Sequence, residues 1–168
     1  MTMMAVANGG QGKEADVRDV TLALRRLLLK GERFSTAQAR KLQLGASDLV
    51  ALGYLHEGGP TAPRDLAAMM GITSGSITAM LDRVERAGFL VRNNNPEDRR
   101  SILVSITPAG QNAIEWLYGE FDGALRQALV ALPGLAPDEL EAAMEVIGAE
   151  LDNASGGQGP LRTPQLPG

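Results

Sequence analysis

Apolar positions recur at helical spacing early in the chain. Val17, Val20, Leu24, Leu27 and Leu28 fall on one face of the stretch 14–44, with Arg25, Arg26 and Lys30 between or beside them. This predicts a long helix, with a kink expected at Gly31 because glycine weakens a helix interior by ~1 kcal/mol relative to alanine. In "GASDLVALGYLHEGG" a second helix turns Leu49, Leu52 and Leu55 inward, and Gly58, Gly59 and Pro60 end it. A short third helix opens on Pro63, suits Asp65 to its positive end, and directs Leu66, Met69 and Met70 inward. Ala62 is a poor cap for it, a role Thr61 is placed to take. Gly71 supplies the left-handed turn, Ile72 plugs it, Thr73 or Ser74 caps a fourth helix, and Ile77, Met80, Leu81 and Val84 form that helix's buried stripe.

The period then changes. "FLVR" and "SILVSI" read as two strands, the second placing Ile102, Val104 and Ile106 on one anchoring face. Between them "NNNPED" is turn chemistry, with the turn expected over Asn93–Pro96. Helical spacing resumes after Thr107 and Pro108, a cap and first-turn pair, through Ile114, Leu117, Phe121, Leu125 and Leu129. Pro133, Gly134 and Pro137 separate this helix from a last one striped by Leu140, Met144, Ile147 and Leu151.

Two short helices joined by a glycine turn make a helix-turn-helix, whose second helix is the one usually laid in the DNA major groove. Spacing alone equally fits a helical hairpin in a bundle. The hairpin that follows favours the first reading, because helix-turn-helix plus β-hairpin is a winged helix. The outward residues Ser76, Thr78, Ala79 and Arg83 are small or hydroxylated near the helix start, which suits approach to base edges and phosphates. Arg83, Arg86, Arg92, Arg99 and Arg100 cluster in this helix and wing. The fold class expected is therefore mainly α with a small β-hairpin wing, a winged helix-turn-helix plus a helical dimerisation domain.

Composition narrows the chemistry. At 168 residues the chain suits one domain, and aromatics at 4% leave an aliphatic core. There is no cysteine, which removes disulfides, thiolate nucleophiles and thiol redox sensing. His56 is the sole histidine, too few for a histidine metal cluster, and carboxylates without a converging base or nucleotide loop do not make an enzyme. No cofactor or metal is expected. The net charge of −4 speaks against nucleic acid only as a total. From Pro108 onward two arginines face nine acids, −7, which leaves +3 upstream. No apolar run approaches the ~18 residues of a membrane span. The start "MTMMAVANGG" lacks a secretory pattern, so a cytoplasmic location is expected. Gly- and Pro-rich ends predict disordered tails at 1–14 and 153–168.

The run "RDLAAMMGITSGSITAMLDRVERAGFLVRNNNPEDRRSILVSITPAG" resembles the MarR family of bacterial transcriptional regulators. Asp98 and Arg100 in the wing, with Thr107-Pro108-x-Gly110, carry the likeness most specifically, and a weaker one extends from about Ala15 to Leu151. The resemblance implies a homodimer on a pseudo-palindromic operator in double-stranded DNA, most often as a repressor. Residues 15–44 and 108–152 would form the dimerisation region, and 45–107 the DNA-binding region. It implies recognition-helix contacts from Thr73, Ser74, Ser76, Thr78 and Arg83. Arg100 would enter the minor groove with Asp98 orienting it, and Arg99, Asn94 and Asn95 would assist on the backbone. Many relatives bind a small, often phenolic or aromatic anion that releases DNA; Arg25, Tyr54, His56 and Trp116 are candidate lining residues here. Ala79, where many relatives carry a larger or basic residue, and the asparagine-rich wing tip depart from the pattern. They keep open a second function, a winged-helix protein adaptor that no longer binds DNA.

Overall fold

The computed structural model describes residues 16–96, 98 and 100–155, so the expected tail 1–14, and the end of the other from 156, lie outside the described residues. The order is α1 (Val17–Lys41), α2 (Ala46–Gly58), α3 (Pro63–Met69), α4 (Ser74–Arg86), β1 (Leu90–Asn94), β2 (Ile102–Ile106), α5 (Pro108–Val130) and α6 (Pro137–Ala154). The last helix thus includes Asn153 and Ala154, two residues beyond the expected start of the tail.

Asp16 caps α1, and the helix runs unbroken through Gly31, so the expected kink does not occur. One glycine's propensity cost is small beside the cooperative gain of a 25-residue helix. After α1 the chain turns through Gln43 in a left-handed conformation (φ 58°), and the Leu44 N–H closes back on the Ala39 carbonyl. Buried Leu44 holds that strained turn in place. Gly71 (φ 63°) and Gly88 (φ 81°) bound α4 in the conformation that favours glycine. Ala62 does stand at the N-cap of α3 without a side-chain cap, but Thr61 does not replace it: its hydroxyl donates to the Gly59 carbonyl, and its backbone pairs with Val104 on the far side of β2.

The core lies where α2, α3, α4, the hairpin and the first half of α5 meet. Leu52, Leu55, Leu66, Ile77, Leu81, Val84, Val104 and Ile114 are its fully buried side chains. Each such burial contributes ~1.5–3 kcal/mol, which makes this layer the chief source of fold stability. The residues expected inward on α2 and α4 are all buried, and Asp48 and Ala51 join those of α2.

Elsewhere fewer apolar positions are buried than the pattern predicts. Met69 is 44% exposed, because α3 ends within two turns and only Leu66 and Ala67 reach the core, with Met70 half-buried. Ile102 is exposed as well: the antiparallel register pairs it with Asn94 near the hairpin tip, beyond the core that covers Val104. The turn is displaced from its expected place, since Asn93 and Asn94 pair with Leu103 and Ile102 inside the ladder. Val17, Val20, Leu27, Leu28, Leu125, Met144, Ile147 and Leu151 are all exposed despite their periodicity, because no second layer among the described residues covers them. No helix among the described residues is long and apolar enough to cross a membrane.

Candidate nucleic-acid interface

The start of α4 is built by its own hydroxyls. Thr73 Oγ1 accepts the Ser76 N–H at 3.3 Å and shares a hydrogen bond with Ser76 Oγ at 2.9 Å. Thr78 Oγ1 donates to the Ser74 carbonyl at 2.9 Å. These bonds fix the rotamers of three expected site residues, while all four of Thr73, Ser74, Ser76 and Thr78 remain exposed. The first turn of α4 holds no acid, so the positive end of its dipole is left for an anion.

Arg83, also expected to meet DNA, is engaged within the chain. Its Nε donates to Asp48 Oδ2 at 2.9 Å and its Nη2 to Asp48 Oδ1 at 2.5 Å. These bonds raise the Arg83 pKa further above its ordinary value, with desolvation opposing and the charge of Asp48 adding to the rise. Asp48 itself is 0% exposed and also accepts the Gly45 N–H at 2.8 Å. Asp48 was not singled out from the sequence, although its place three residues after the cap of α2 is a capping-box position. Its partner 35 residues away has no local signal.

Arg92 of β1 is committed too. Its guanidinium meets Asp82 Oδ1 at 2.7 Å and pairs with Glu85, whose other oxygen accepts the Arg92 backbone N–H. Wing strand and reading helix are thereby stapled together. At the tip, Asp98 Oδ1 accepts the Arg100 backbone N–H at 3.0 Å, while the Asp98 carbonyl accepts both the N–H and the hydroxyl of Ser101. Asp98 therefore places Arg100 through its main chain, and among the described residues the Arg100 guanidinium has no hydrogen-bond partner. Asn95 bonds Ser101 through both backbone and side chain. Asn94 sits within β1, and Arg99 lies outside the described residues.

The base of the wing joins α5 through one hydroxyl. Thr107 Oγ1 donates to the Gly88 carbonyl at 2.7 Å and accepts the Gly110 N–H at 3.1 Å. Gly110 has to be glycine, since a Cβ there would lie 2.2 Å from the Phe89 carbonyl oxygen and 2.7 Å from Ile106 Cγ1.

The candidate effector residues Tyr54, His56 and Trp116 each have a separate partner. Tyr54 donates to the Met69 carbonyl at 3.3 Å, His56 meets the Tyr118 ring edge-on at 6.0 Å, and Lys41 lies over Trp116 at 5.3 Å. No hydrogen bond or ring contact among the described residues links Arg25, Tyr54, His56 and Trp116 to one another. A concavity of about 360 Å³ is lined by Glu32, Arg33, Thr36, Ala37 and Arg40 of α1 and includes none of the four. Beside His56, Tyr118 donates to Glu57 at 2.9 Å, and burial, the hydrogen bond to Glu57 and its charge push the tyrosine pKa up to about 12. Among the described residues no three His, Asp or Glu side chains group to hold a metal.

Residues 44–102, from the end of the α1–α2 turn to the start of β2, match the MarR family. The HTH-type transcriptional regulator YcgE of Bacillus subtilis is 35% identical over 85 residues, 51% of this chain and 55% of YcgE, so the chain spans about half of that relative. YfiV, another HTH-type transcriptional regulator of B. subtilis, is 27% identical over 143 residues, covering 83% of this chain and 88% of its own. In three dimensions the fold resembles S. aureus MepR F27L bound to an oligodeoxyribonucleotide, with a TM-score of 0.57, 20% identity, and coverage of 80% of this chain and 97% of that one.

Proposed function

We propose that the chain is a member of the MarR family, whose members are transcription regulators and not enzymes, and that it is a sequence-specific DNA-binding regulator acting as a homodimer. One observation carries the reading: the family match spans the helix-turn-helix and most of the hairpin that the sequence pattern and the geometry both delineate. Thr73, Ser74, Ser76 and Thr78 offer hydroxyls and a helix N-terminus to the major groove, and Arg100 offers a guanidinium to the minor groove. Binding a pseudo-palindromic operator in the cytoplasm as a repressor belongs to the same proposal.

Two features support the dimer. Among the described residues, Val17, Val20, Leu27 and Leu28 of α1, Leu125 and Val130 of the far half of α5, and Met144, Ile147 and Leu151 of α6 are exposed. Charge is complementary between them: α1 carries seven bases and two acids, α6 six acids and no base. A second copy that brings these helices together buries the apolar stripes and pairs the charges. Residues 15–44 and 108–152 would then be the dimerisation region, and 45–107 the reader. For the small aromatic or phenolic anion that releases DNA, the site at Arg25, Tyr54, His56 and Trp116 would lie between the dimerisation region and the reader.

The test is a gel shift on the gene's own upstream region, repeated across salt concentrations. Expected is a shifted band whose log affinity falls against log salt with a slope of about −0.9 for each phosphate neutralised. A second reading, a protein adaptor, is favoured by the internal pairing of Arg83 and Arg92, which withdraws cations from the reader. A flat salt response with no shifted band selects the adaptor.

A further inference from the structure

The reading helix is tied to the rest of the chain on two sides by adjacent residues. Asp82 belongs to the staple with Arg92, whereas Arg83 reaches the other way to Asp48. The second tie is the more consequential, because its anchor is buried. Asp48 has no exposed surface and receives three N–H donors: one from Gly45 at the head of its own helix, two from Arg83. Helix α2 in turn packs on both α1 and α5, so Asp48 connects the middle of α4 to the helices that flank the reader.

This geometry limits what Arg83 is available for. The Nε–Nη2 edge is one of the two edges with which arginine grips a carboxylate or phosphate through two parallel bonds, and Asp48 occupies it, which leaves the Nη1 end. Turning that edge toward DNA would strand a buried, uncompensated carboxylate, which is strongly unfavourable. The side chain is 46% exposed, so its cation is visible to solvent while its side-on edge is held by Asp48.

We propose that Asp48 is a positioning residue of the reading helix and Arg83 its tether, so that Arg83 serves recognition by fixing α4 rather than by touching DNA. The proposal rests on the DNA-binding reading above. It assigns a role to a residue of α2, outside the helix-turn-helix, and reassigns the one arginine on α4 that sequence placed at the DNA.

The experiment compares wild type, Asp48→Asn, Arg83→Gln, Arg83→Lys and the double variant Asp48→Asn/Arg83→Gln. Each is titrated by fluorescence anisotropy, across salt, with a duplex from the gene's own upstream region and an unrelated duplex of equal length. Asp48→Asn keeps an oxygen for the Gly45 N–H, and the double variant leaves no unpaired buried charge, so a folded protein is available whatever the singles do; circular dichroism melting verifies it. A tether predicts that both neutral singles and the double lose the same factor in affinity for the upstream duplex, on the order of tenfold, the size of one misread base pair. It also predicts that Arg83→Lys, which keeps the charge but not the fork, loses as much as Arg83→Gln. The salt slope and the affinity for the unrelated duplex stay as in wild type.

The opposite pattern overturns the proposal: a slope shallower by about 0.9 for each protomer in Arg83→Gln, near-normal binding by Arg83→Lys, and undiminished binding by Asp48→Asn. A wild type that shows no salt-dependent binding to either duplex overturns the DNA reading itself, and the tether proposal with it; that outcome is distinct from the previous one.

Discussion

The reader and the helices that flank it use the same apolar alphabet to opposite ends. Around α4, Leu52, Leu66, Ile77, Leu81 and Val104 are sealed within one chain, and the hydrophobic term is spent where the helix-turn-helix needs rigidity. Along α1 and α6, Val17, Val20, Leu27, Leu28, Ile147 and Leu151 repeat just as regularly and are left in water. Periodicity is therefore a statement about which residues share a face, not about whose surface covers that face. The first region is complete as a monomer. The second becomes complete only against another surface, which we propose to be a second copy.

The contrast can be broken at the core first. Leu52→Ala should lose about 2–5 kcal/mol of unfolding free energy, because a fully buried leucine leaves a cavity that its neighbours only partly fill. Urea denaturation measures it, and a loss under about 0.5 kcal/mol, the range of a surface substitution, would show that the reader is not a closed core.

Next comes the seam between the regions. Gly110→Ala pushes a methyl group into the Phe89 carbonyl and Ile106, so it should cost about 1–3 kcal/mol and disturb the wing base, read as altered amide chemical shifts at Gly88 and Phe89. Unchanged shifts would mean that α5 and the wing are less tightly joined than the contact indicates.

On the open side, Ile147→Glu with Leu151→Glu should abolish self-association in light scattering yet shift the stability of the reader by no more than about 0.5 kcal/mol, as exposed positions do. Loss of the reader's fold in that variant would erase the distinction between the two regions.

The smallest expected effect is alkaline. Tyr118 titrates near 12 in the folded chain and near 10 unfolded, so the folded state holds its proton longer and stability falls as pH rises from about 10 to 12. Below about 10 the proton is bound in both states and the contribution is intact. Tyr118→Phe should flatten this decline in pH-resolved thermal melts; an equal decline in both proteins removes Tyr118 as its source.

How far the chain could be read in advance follows the same division. Gly71, Gly88, the Thr73 cap and the stripe Ile77, Met80, Leu81, Val84 are local signals, each decided within a few residues, and the helix-turn-helix emerged intact from them. Thr107, Pro108 and Gly110 marked the next helix equally well. What stayed hidden depends on distant partners. Asp48 is an acid on an apolar helix until Arg83 arrives from another element, and Arg92 is one basic residue among several until Asp82 and Glu85 claim it. Asn93 and Asn94 have the chemistry of a turn, yet the cross-strand register draws them into the ladder.

The single hydroxyl of Thr107 has a mechanical consequence. With one bond to the carbonyl that ends the reading helix and one to the first turn of α5, it makes the base of the wing and the foot of α5 a common hub. A helix of 23 residues is about 35 Å long, so a tilt of about 10° displaces its far end by about 6 Å. Run in reverse, a push at the far end of α5 is geared down into a small, firm rotation of α4 and the wing, and side chains far along α5 gain leverage over how these two are oriented.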